Sequence, residues 1–99
     1  MTRRGYRLVE RNYRTRRGEI DLIVRKGATL VFVEVKLRRG TAFGDPLEAV
    51  TLRKQATLRH LAERYLADHA AAFDTVRFDV IGILAGREGL KVRHIEDAF

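Results

Sequence analysis

The chain has 99 residues, 45% of them hydrophobic, which suits a single globular domain spanning residues 1–99. Twenty Lys and Arg residues against thirteen Asp and Glu residues give a formal net charge of +7, which favours a polyanionic partner and nucleic acid first. The absence of cysteine excludes disulfides and thiolate metal sites, and the lack of a long apolar run or a secretory signal predicts a cytoplasmic protein with no membrane partner.

Three strand signals occupy the first part of the chain, at residues 6–14, 19–25 and 30–37. The second and third flank Lys26-Gly27-Ala28-Thr29, which predicts a hairpin turn. Gly27 at the first central position suits a type II′ turn, because that position needs a positive φ.

A helix is predicted next, with Asp45 as N-cap, Pro46 at the first helical position and Glu48 in the capping-box place. Apolar residues then recur at helical spacing from Leu58 to His69. The pattern does not decide whether residues 45–50 are continuous with this helix or form a separate turn broken at Thr51, and we expect at most a kink. Strand signals at residues 75–84 and 90–95 complete the order βββαββ.

The predicted hairpin carries charges where strands usually bury side chains. The turn places Asp21 directly opposite Glu34, and Glu19 opposite Lys36, on the face where Ile23 pairs with Phe32. Aliphatic residues make up the whole of the other face, namely Ile20, Leu22, Val24, Val31, Val33 and Val35. Hydrophobic residues on both faces indicate a pair of strands covered on both sides, so we expect the charges on a partly buried face.

Two carboxylates on opposite strand positions repel, because their Cβ atoms lie about 4.5 to 5.5 Å apart. A hard cation such as Mg²⁺ would compensate, since it takes carboxylate oxygens and completes its shell with water and substrate phosphate. The pattern therefore predicts a metal site at Asp21 and Glu34, with Lys36 beside a scissile phosphate. A register shifted by two residues exchanges the partners, so a cross-strand salt-bridge network is the alternative interpretation.

Seven short segments form a recognisable combination, at residues 11–15, 18–23, 31–36, 48–50, 54–55, 77–80 and 98–99. Together they resemble the bacterial YraN-like family, which is similar to the PD-(D/E)XK nuclease superfamily and to archaeal Holliday junction resolvases. The resemblance covers essentially the whole chain. It implies an α/β fold with a restriction-endonuclease-like mixed sheet, DNA as the partner, Mg²⁺ or Mn²⁺ as the cofactor, and a homodimer.

The resemblance also assigns roles to individual residues. Asp21 matches the first metal-binding Asp of the superfamily, and Glu34 and Lys36 match its E-x-K signature as metal ligand and catalytic lysine. Gln55 resembles a helical residue that assists the site in resolvase-like members, and Glu19 belongs to the family motif as a further catalytic candidate.

Several residues outside this motif also carry expectations. Basic residues flank the proposed site and are expected to contact phosphates: Arg14, Arg16, Arg17, Arg38, Arg39 and Lys54. A basic surface that serves only solubility is the alternative. The pattern predicts a structural ion pair between Arg77 and Asp79, solvent-exposed His60 and His94, and Tyr13 as a core or rim residue rather than a base-stacking one.

One departure from the family pattern concerns the N-terminus. Relatives usually begin with an additional helix whose Glu can join the metal shell, whereas here Met1 falls directly before the first strand, so we expect the usual N-terminal helix to be absent. The sequence favours a metal-dependent endonuclease acting on structured or branched DNA. Its rivals are a nucleic-acid-binding module with a vestigial nuclease site and a protein-interaction domain with ordinary salt bridges.

Overall fold

A computed structural model describes residues 5–39, 46–69 and 73–99. The elements are β1 (Arg7–Thr15), β2 (Gly18–Lys26), β3 (Thr29–Arg39), a 3₁₀ helix (Pro46–Ala49), α1 (Leu52–Asp68), β4 (Thr75–Gly86) and β5 (Gly89–Ile95). The predicted order βββαββ and the α/β class are confirmed. The proposed N-cap Asp45 lies outside the described residues.

The five strands form one mixed sheet in the order β1-β2-β3-β4-β5. Strands β1 to β3 make an antiparallel meander, β4 and β5 pair antiparallel, and β3 runs parallel to β4. Parallel neighbours need a crossover connection, and α1 lies within that connection. As the middle strand, β3 has five consecutive buried residues, 30–34.

The face of the sheet under α1 carries the larger hydrophobic cluster. The helix contributes Leu58, Leu61, Ala62 and Tyr65, the stripe that the helical spacing predicted. The buried residues that complete the cluster are Ile20, Ile23, Leu30, Phe32, Val50 and Val80. Within the described part of the chain, no helix is long and apolar enough to cross a membrane.

The opposite face holds a second, smaller cluster. Its buried members are Tyr6, Val24, Val31 and Val33, with Leu22, Val35 and Ile81 half-buried against them. The predicted pairing of Ile23 with Phe32 is also present. The expectation that the β2–β3 pair has apolar residues on both faces is therefore confirmed.

Ile20 corrects one detail of that prediction, because it lies in the helix-side cluster with Ile23 and not with Leu22. Strict alternation cannot place residues 20 and 23 on one face. The irregularity coincides with Asn12, which has φ 54° and lies in β1 between the pairs Arg11–Leu22 and Tyr13–Ile20. The regular alternation of β2 is therefore broken between Ile20 and Leu22.

The start of α1 corrects a second expectation. Thr51 has φ −65° and ψ 164°, which is extended backbone that cannot continue a helix, and its Oγ1 accepts a hydrogen bond from the Lys54 N–H at 3.1 Å. The 3₁₀ helix and α1 are therefore separate elements joined at an N-cap. Our expectation of at most a kink was wrong, because Thr51 forms its own cap.

Two glycines fit the conformations they adopt. Gly27 has φ 58° and Ala28 does not have a positive φ, as a type II′ turn requires. Gly18 has φ 153°, and a Cβ on it would lie 3.3 Å from Cγ2 of Thr57. Glycine at position 18 thus allows β2 to begin directly against α1.

Asp79 on β4 anchors a buried polar network. Its carboxylate accepts hydrogen bonds from Nε and Nη2 of Arg77 at 2.8 and 2.9 Å and from the Asp97 N–H at 3.0 Å, and Nε2 of His94 lies 2.7 Å away. Burial opposes ionisation, but the hydrogen bonds from Arg77, Asp97 and His94 outweigh it and lower the pKa of Asp79. The predicted ion pair is confirmed. His94 is half-buried here, so its predicted exposure was wrong.

Replacing Asp79 by Asn should lower the free energy of unfolding by about 3 to 5 kcal/mol, because Arg77 would lose its charge partner in a mostly buried place. Urea denaturation measures the change. Asp68→Asn is the matched control, since Asp68 pairs with Arg64 at 3.1 Å on the exposed side of α1, where ion pairs contribute at most about 1 kcal/mol. Equal losses in the two variants would contradict the structural role of Asp79.

Candidate metal centre

Glu34 is a carboxylate buried at the end of an apolar stretch of β3. Only 3% of its surface is exposed. Leu30 and Phe32, at alternate positions before it, lie in the cluster under α1, so the side chain of Glu34 points to the helix side. Oε2 of Glu34 has no hydrogen-bond partner among the residues that the structure describes. An ionised carboxylate left in this state is costly unless a proton or a cation compensates it.

Asp21 lies beside Glu34 and is held by the backbone of β3. Its Oδ2 accepts a hydrogen bond from the Val35 N–H at 2.8 Å. The pairing of β2 with β3 begins at Lys26–Thr29, next to the turn, and ends at Leu22–Val33. The carboxylate of Asp21 therefore binds the backbone of β3 just beyond the last pair. The sequence predicted that Asp21 would face Glu34, and the two carboxyl groups are close enough to share a hydrogen bond, although the regular pairing of β2 with β3 ends one residue earlier.

Two lysines approach the carboxylate from different elements. Nζ of Lys36, two residues along β3, lies 3.6 Å from Oε2 of Glu34, and Nζ of Lys54, in the first turn of α1, lies 3.4 Å from it. Both contacts are longer than a typical charge-assisted hydrogen bond of about 2.7 to 2.9 Å. The lysines therefore supply positive charge to the site without satisfying the buried oxygen.

These surroundings raise the pKa of Glu34 from 4.5 to about 7. Burial is the largest cause, followed by a hydrogen bond shared with Asp21 and the negative charge of Asp21; the charges of Lys54 and Lys36 oppose the shift. Near neutral pH the carboxylate of Glu34 is therefore poised between its protonated and ionised forms. A cation arriving at the site competes with that proton.

The side chains of Gln55 and Glu19 contact groups other than Asp21 and Glu34. Nε2 of Gln55 donates to the Val50 carbonyl oxygen at 3.2 Å, just before α1. Glu19 forms an ion pair with Arg14, its cross-strand partner in β1, at 2.8 Å. The predicted pairing of Glu19 with Lys36 was wrong, because the pairing of β2 with β3 ends at Leu22 and the side chain of Lys36 turns to Glu34.

The predicted phosphate-binding arginines lie in two groups. Arg14, Arg16 and Arg17 are exposed around the turn between β1 and β2, and Arg38 and Arg39 are exposed at the end of β3. Their exposure leaves them accessible to a polyanion, and their role in binding remains a prediction.

The donor set suits a hard cation. Among residues 5–39, 46–69 and 73–99, no third acidic or histidine side chain joins Asp21 and Glu34 in a group that could hold a metal ion. Mg²⁺ is commonly bound by one or two carboxylates, with waters and substrate phosphates completing its shell. The buried Oε2 of Glu34, which lacks a partner in the described residues, fits this mode of binding.

The sequence of this chain matches a known family over the segment that carries the site. The model of the uncharacterised protein family UPF0102 matches residues 1–83, which include Asp21, Glu34, Lys36 and Lys54. The chain belongs to the UPF0102 family. This result confirms the YraN-like family that the sequence motifs indicated.

Individual UPF0102 proteins are similar over almost the whole chain. A UPF0102 protein of Rhodococcus jostii is 47% identical over 100 residues, covering 100% of this chain and 85% of the relative. One from Symbiobacterium thermophilum is 50% identical with the same coverage of both chains. One from Beutenbergia cavernae is 53% identical over 92 residues, covering 92% of this chain and 78% of the relative.

The position of Lys54 beside Glu34 was not predicted from the sequence. This lysine was assigned to phosphate binding alone, but it reaches the carboxylate of Glu34. The signal was present, because Lys54 lies four residues before Leu58 and seven before Leu61, on the buried stripe of α1. A lysine at the start of such a stripe points over the sheet.

Glu34→Gln should change how stability depends on pH. The folded protein holds a proton on Glu34 up to about pH 7, whereas the unfolded chain releases it near 4.5, so the stability of the wild type falls as pH rises between these values. The variant lacks this titration. As pH rises from about 4.5 to 7, the free energy of unfolding of the variant should therefore increase relative to that of the wild type by on the order of 3 kcal/mol.

Urea denaturation in EDTA over this pH range measures the difference between the two proteins. The groups that face Glu34 are retained in Glu34→Gln, namely Asp21 from β2, Lys36 from β3 and Lys54 from α1. A difference in unfolding free energy that stays constant from acid to neutral pH would refute the raised pKa.

Proposed function

We propose that the protein is a metal-dependent endonuclease that hydrolyses phosphodiester bonds in structured or branched DNA in the cytoplasm. One observation carries the proposal: the buried Oε2 of Glu34, without a hydrogen-bond partner in the described residues, lies beside Asp21 and two lysines. A perturbed carboxylate of this kind, close to other charged groups, is a mark of a functional site.

In this proposal Asp21 and Glu34 hold the metal ion. Mg²⁺ or Mn²⁺, when bound, supplies a water of lowered pKa and neutralises charge on the phosphoryl oxygens. Asp21 keeps a fixed orientation through its hydrogen bond from the Val35 N–H. Lys36 and Lys54, each about one-third exposed, are near enough to Glu34 to bind the phosphate that the metal ion also contacts.

The choice of substrate rests on charge and on resemblance. A net charge of +7 and exposed arginines at the β1–β2 turn and the end of β3 favour a nucleic acid. Branched DNA is what the similar resolvases act on, and the same resemblance suggests a homodimer, which sedimentation analysis tests.

Metal binding should depend on Glu34. Titration calorimetry with Mn²⁺ and Mg²⁺ on the wild type should give saturable heats, and Glu34→Gln should weaken binding at least about tenfold, because it removes one of two charged ligands. Glu63→Gln is the matched control, since Glu63 is exposed on α1. Identical binding by the wild type and Glu34→Gln would rule out this metal site.

Cleavage should depend on Lys36. With Mg²⁺ or Mn²⁺, the wild type should nick supercoiled plasmid or cut a four-way junction, and Lys36→Ala should lower the rate at least about a hundredfold, as expected for loss of charge stabilisation at the phosphate. Lys91→Ala, an exposed lysine on β5, should keep the wild-type rate. No cleavage of either substrate by the wild type would contradict the enzyme proposal.

A nucleic-acid-binding module with a vestigial nuclease site is the second candidate. It is favoured by the finding that only two carboxylates meet at the site within the described residues. It predicts salt-sensitive DNA binding without metal-dependent cleavage. The plasmid and junction assay separates the two candidates.

A further inference from the structure

A groove lies between the β1–β2 hairpin and one side of α1. It has a volume of about 600 Å³. Tyr13, Arg16 and Arg17 line it from the hairpin, and Leu61 and Arg64 line it from α1. We call it the hairpin–helix groove. Its volume falls within the range of about 300 to 1,000 Å³ that is typical of ligand-binding clefts.

The rim of the hairpin–helix groove is strongly basic. Arg14, Arg16, Arg17 and Arg64 line it, against the single carboxylate of Asp68. Arg14 pairs with Glu19 and Arg64 pairs with Asp68. Neither Arg16 nor Arg17 forms an ion pair with any residue in the ranges 5–39, 46–69 and 73–99, so both can bind an external anion.

The inner wall of the groove is aromatic and apolar. Tyr13 is half-buried, and its ring meets that of Tyr65 edge to face, with centroids 5.2 Å apart. This contact with Tyr65, together with the hydrophobic cluster under α1, holds the Tyr13 ring in place while the ring lines the groove. Leu61, a fully buried core residue, forms the floor of the groove. A fixed aromatic ring below a basic rim is the combination that binds a base and its phosphates.

The groove also lies close to the metal centre. Tyr13 pairs with Ile20, the residue before Asp21 on β2. Along α1, Leu61 of the groove and Lys54 of the metal centre are two turns apart, about 10 Å at 1.5 Å per residue. A strand held in the groove is therefore near the carboxylates.

We propose that the hairpin–helix groove binds an unpaired segment of a nucleic acid strand, with its phosphates on Arg16 and Arg17 and a base against the ring of Tyr13. This inference rests on the proposed function: the groove would bind the unpaired part of a branched substrate. A paired base is enclosed within its duplex and cannot reach a recessed ring, whereas an unpaired base can. A membrane surface would need apolar side chains that project outward, and Tyr13 is recessed.

Fluorescence anisotropy with labelled single-stranded oligothymidylate in EDTA tests binding without cleavage. Tyr13→Leu keeps an apolar side chain but removes the ring, and should lower affinity about five- to a hundredfold. Tyr13→Phe keeps the ring and should retain wild-type affinity. An unchanged affinity in Tyr13→Leu would overturn the proposal, as would losses of equal size in the two variants.

The two arginines are tested by the salt dependence of the same binding. Removing both in Arg16→Ala/Arg17→Ala should reduce the slope of log K against log salt by about 0.7 for each lost phosphate contact. Arg87→Ala/Arg93→Ala removes the same charge from the β4–β5 hairpin, at the opposite edge of the sheet, and should leave the slope unchanged. Equal changes of slope in the two double variants would mean that the net charge of the protein alone attracts the strand, and would overturn the groove proposal.

Competitors separate the strand from other polyanions. Unlabelled single strand should displace the probe at lower concentration than duplex of the same length or phosphatidylglycerol vesicles. Preference for duplex or for vesicles would overturn the proposal. If Tyr13→Leu loses strand binding and the wild type cleaves no substrate, the groove proposal is supported and the nuclease proposal is refuted. If all groove variants bind and cleave as the wild type does, the nuclease proposal is supported and the groove proposal is refuted.

Discussion

The burial of one carboxylate governs the helix side of this domain. β3 is the middle strand of the sheet and α1 covers one of its faces, so the side chain of Glu34 is removed from water by the same packing that forms the core. Lys36 and Lys54 act on this carboxylate through their positive charges, and Asp21 acts on it through a hydrogen bond and its negative charge. Oε2 still lacks a hydrogen-bond partner in the described residues, and that deficit sets the chemistry of the site.

A second buried acid on the neighbouring strand shows the contrast. Asp79 on β4 is as inaccessible as Glu34, yet its carboxylate receives hydrogen bonds from Arg77 and Asp97 and a close contact from His94. Its pKa is lowered, whereas that of Glu34 is raised. A fully satisfied buried acid stabilises a fold, and an unsatisfied one is kept at a cost, which is the usual situation of a group that serves binding or catalysis.

The sequence predicted most of the fold because its local signals agreed with one another. Period-two alternation and Gly27 located the hairpin, and the apolar spacing of α1 located its buried face. The placement of Ile20 escaped prediction, since strict alternation along β2 places it with Leu22 on the other face. The helix start was ambiguous because Asp45 and Thr51 are both good caps. The contact of Lys54 with Glu34 could not be predicted, because it depends on how α1 packs over β3, which is a tertiary property.

The parallel pairing of β3 with β4 has a consequence for the order of folding. The meander of β1 to β3 is closed by short turns, whereas Thr29 and Thr75 meet across 46 residues of chain, so loop-closure entropy makes the β3–β4 pairing the later event. Glu34 lies beside Val80 in that pairing. Asp21, Glu34 and Lys36 all belong to the meander that forms first, whereas Lys54 lies on α1 within the crossover, so the site is complete only once the crossover has closed.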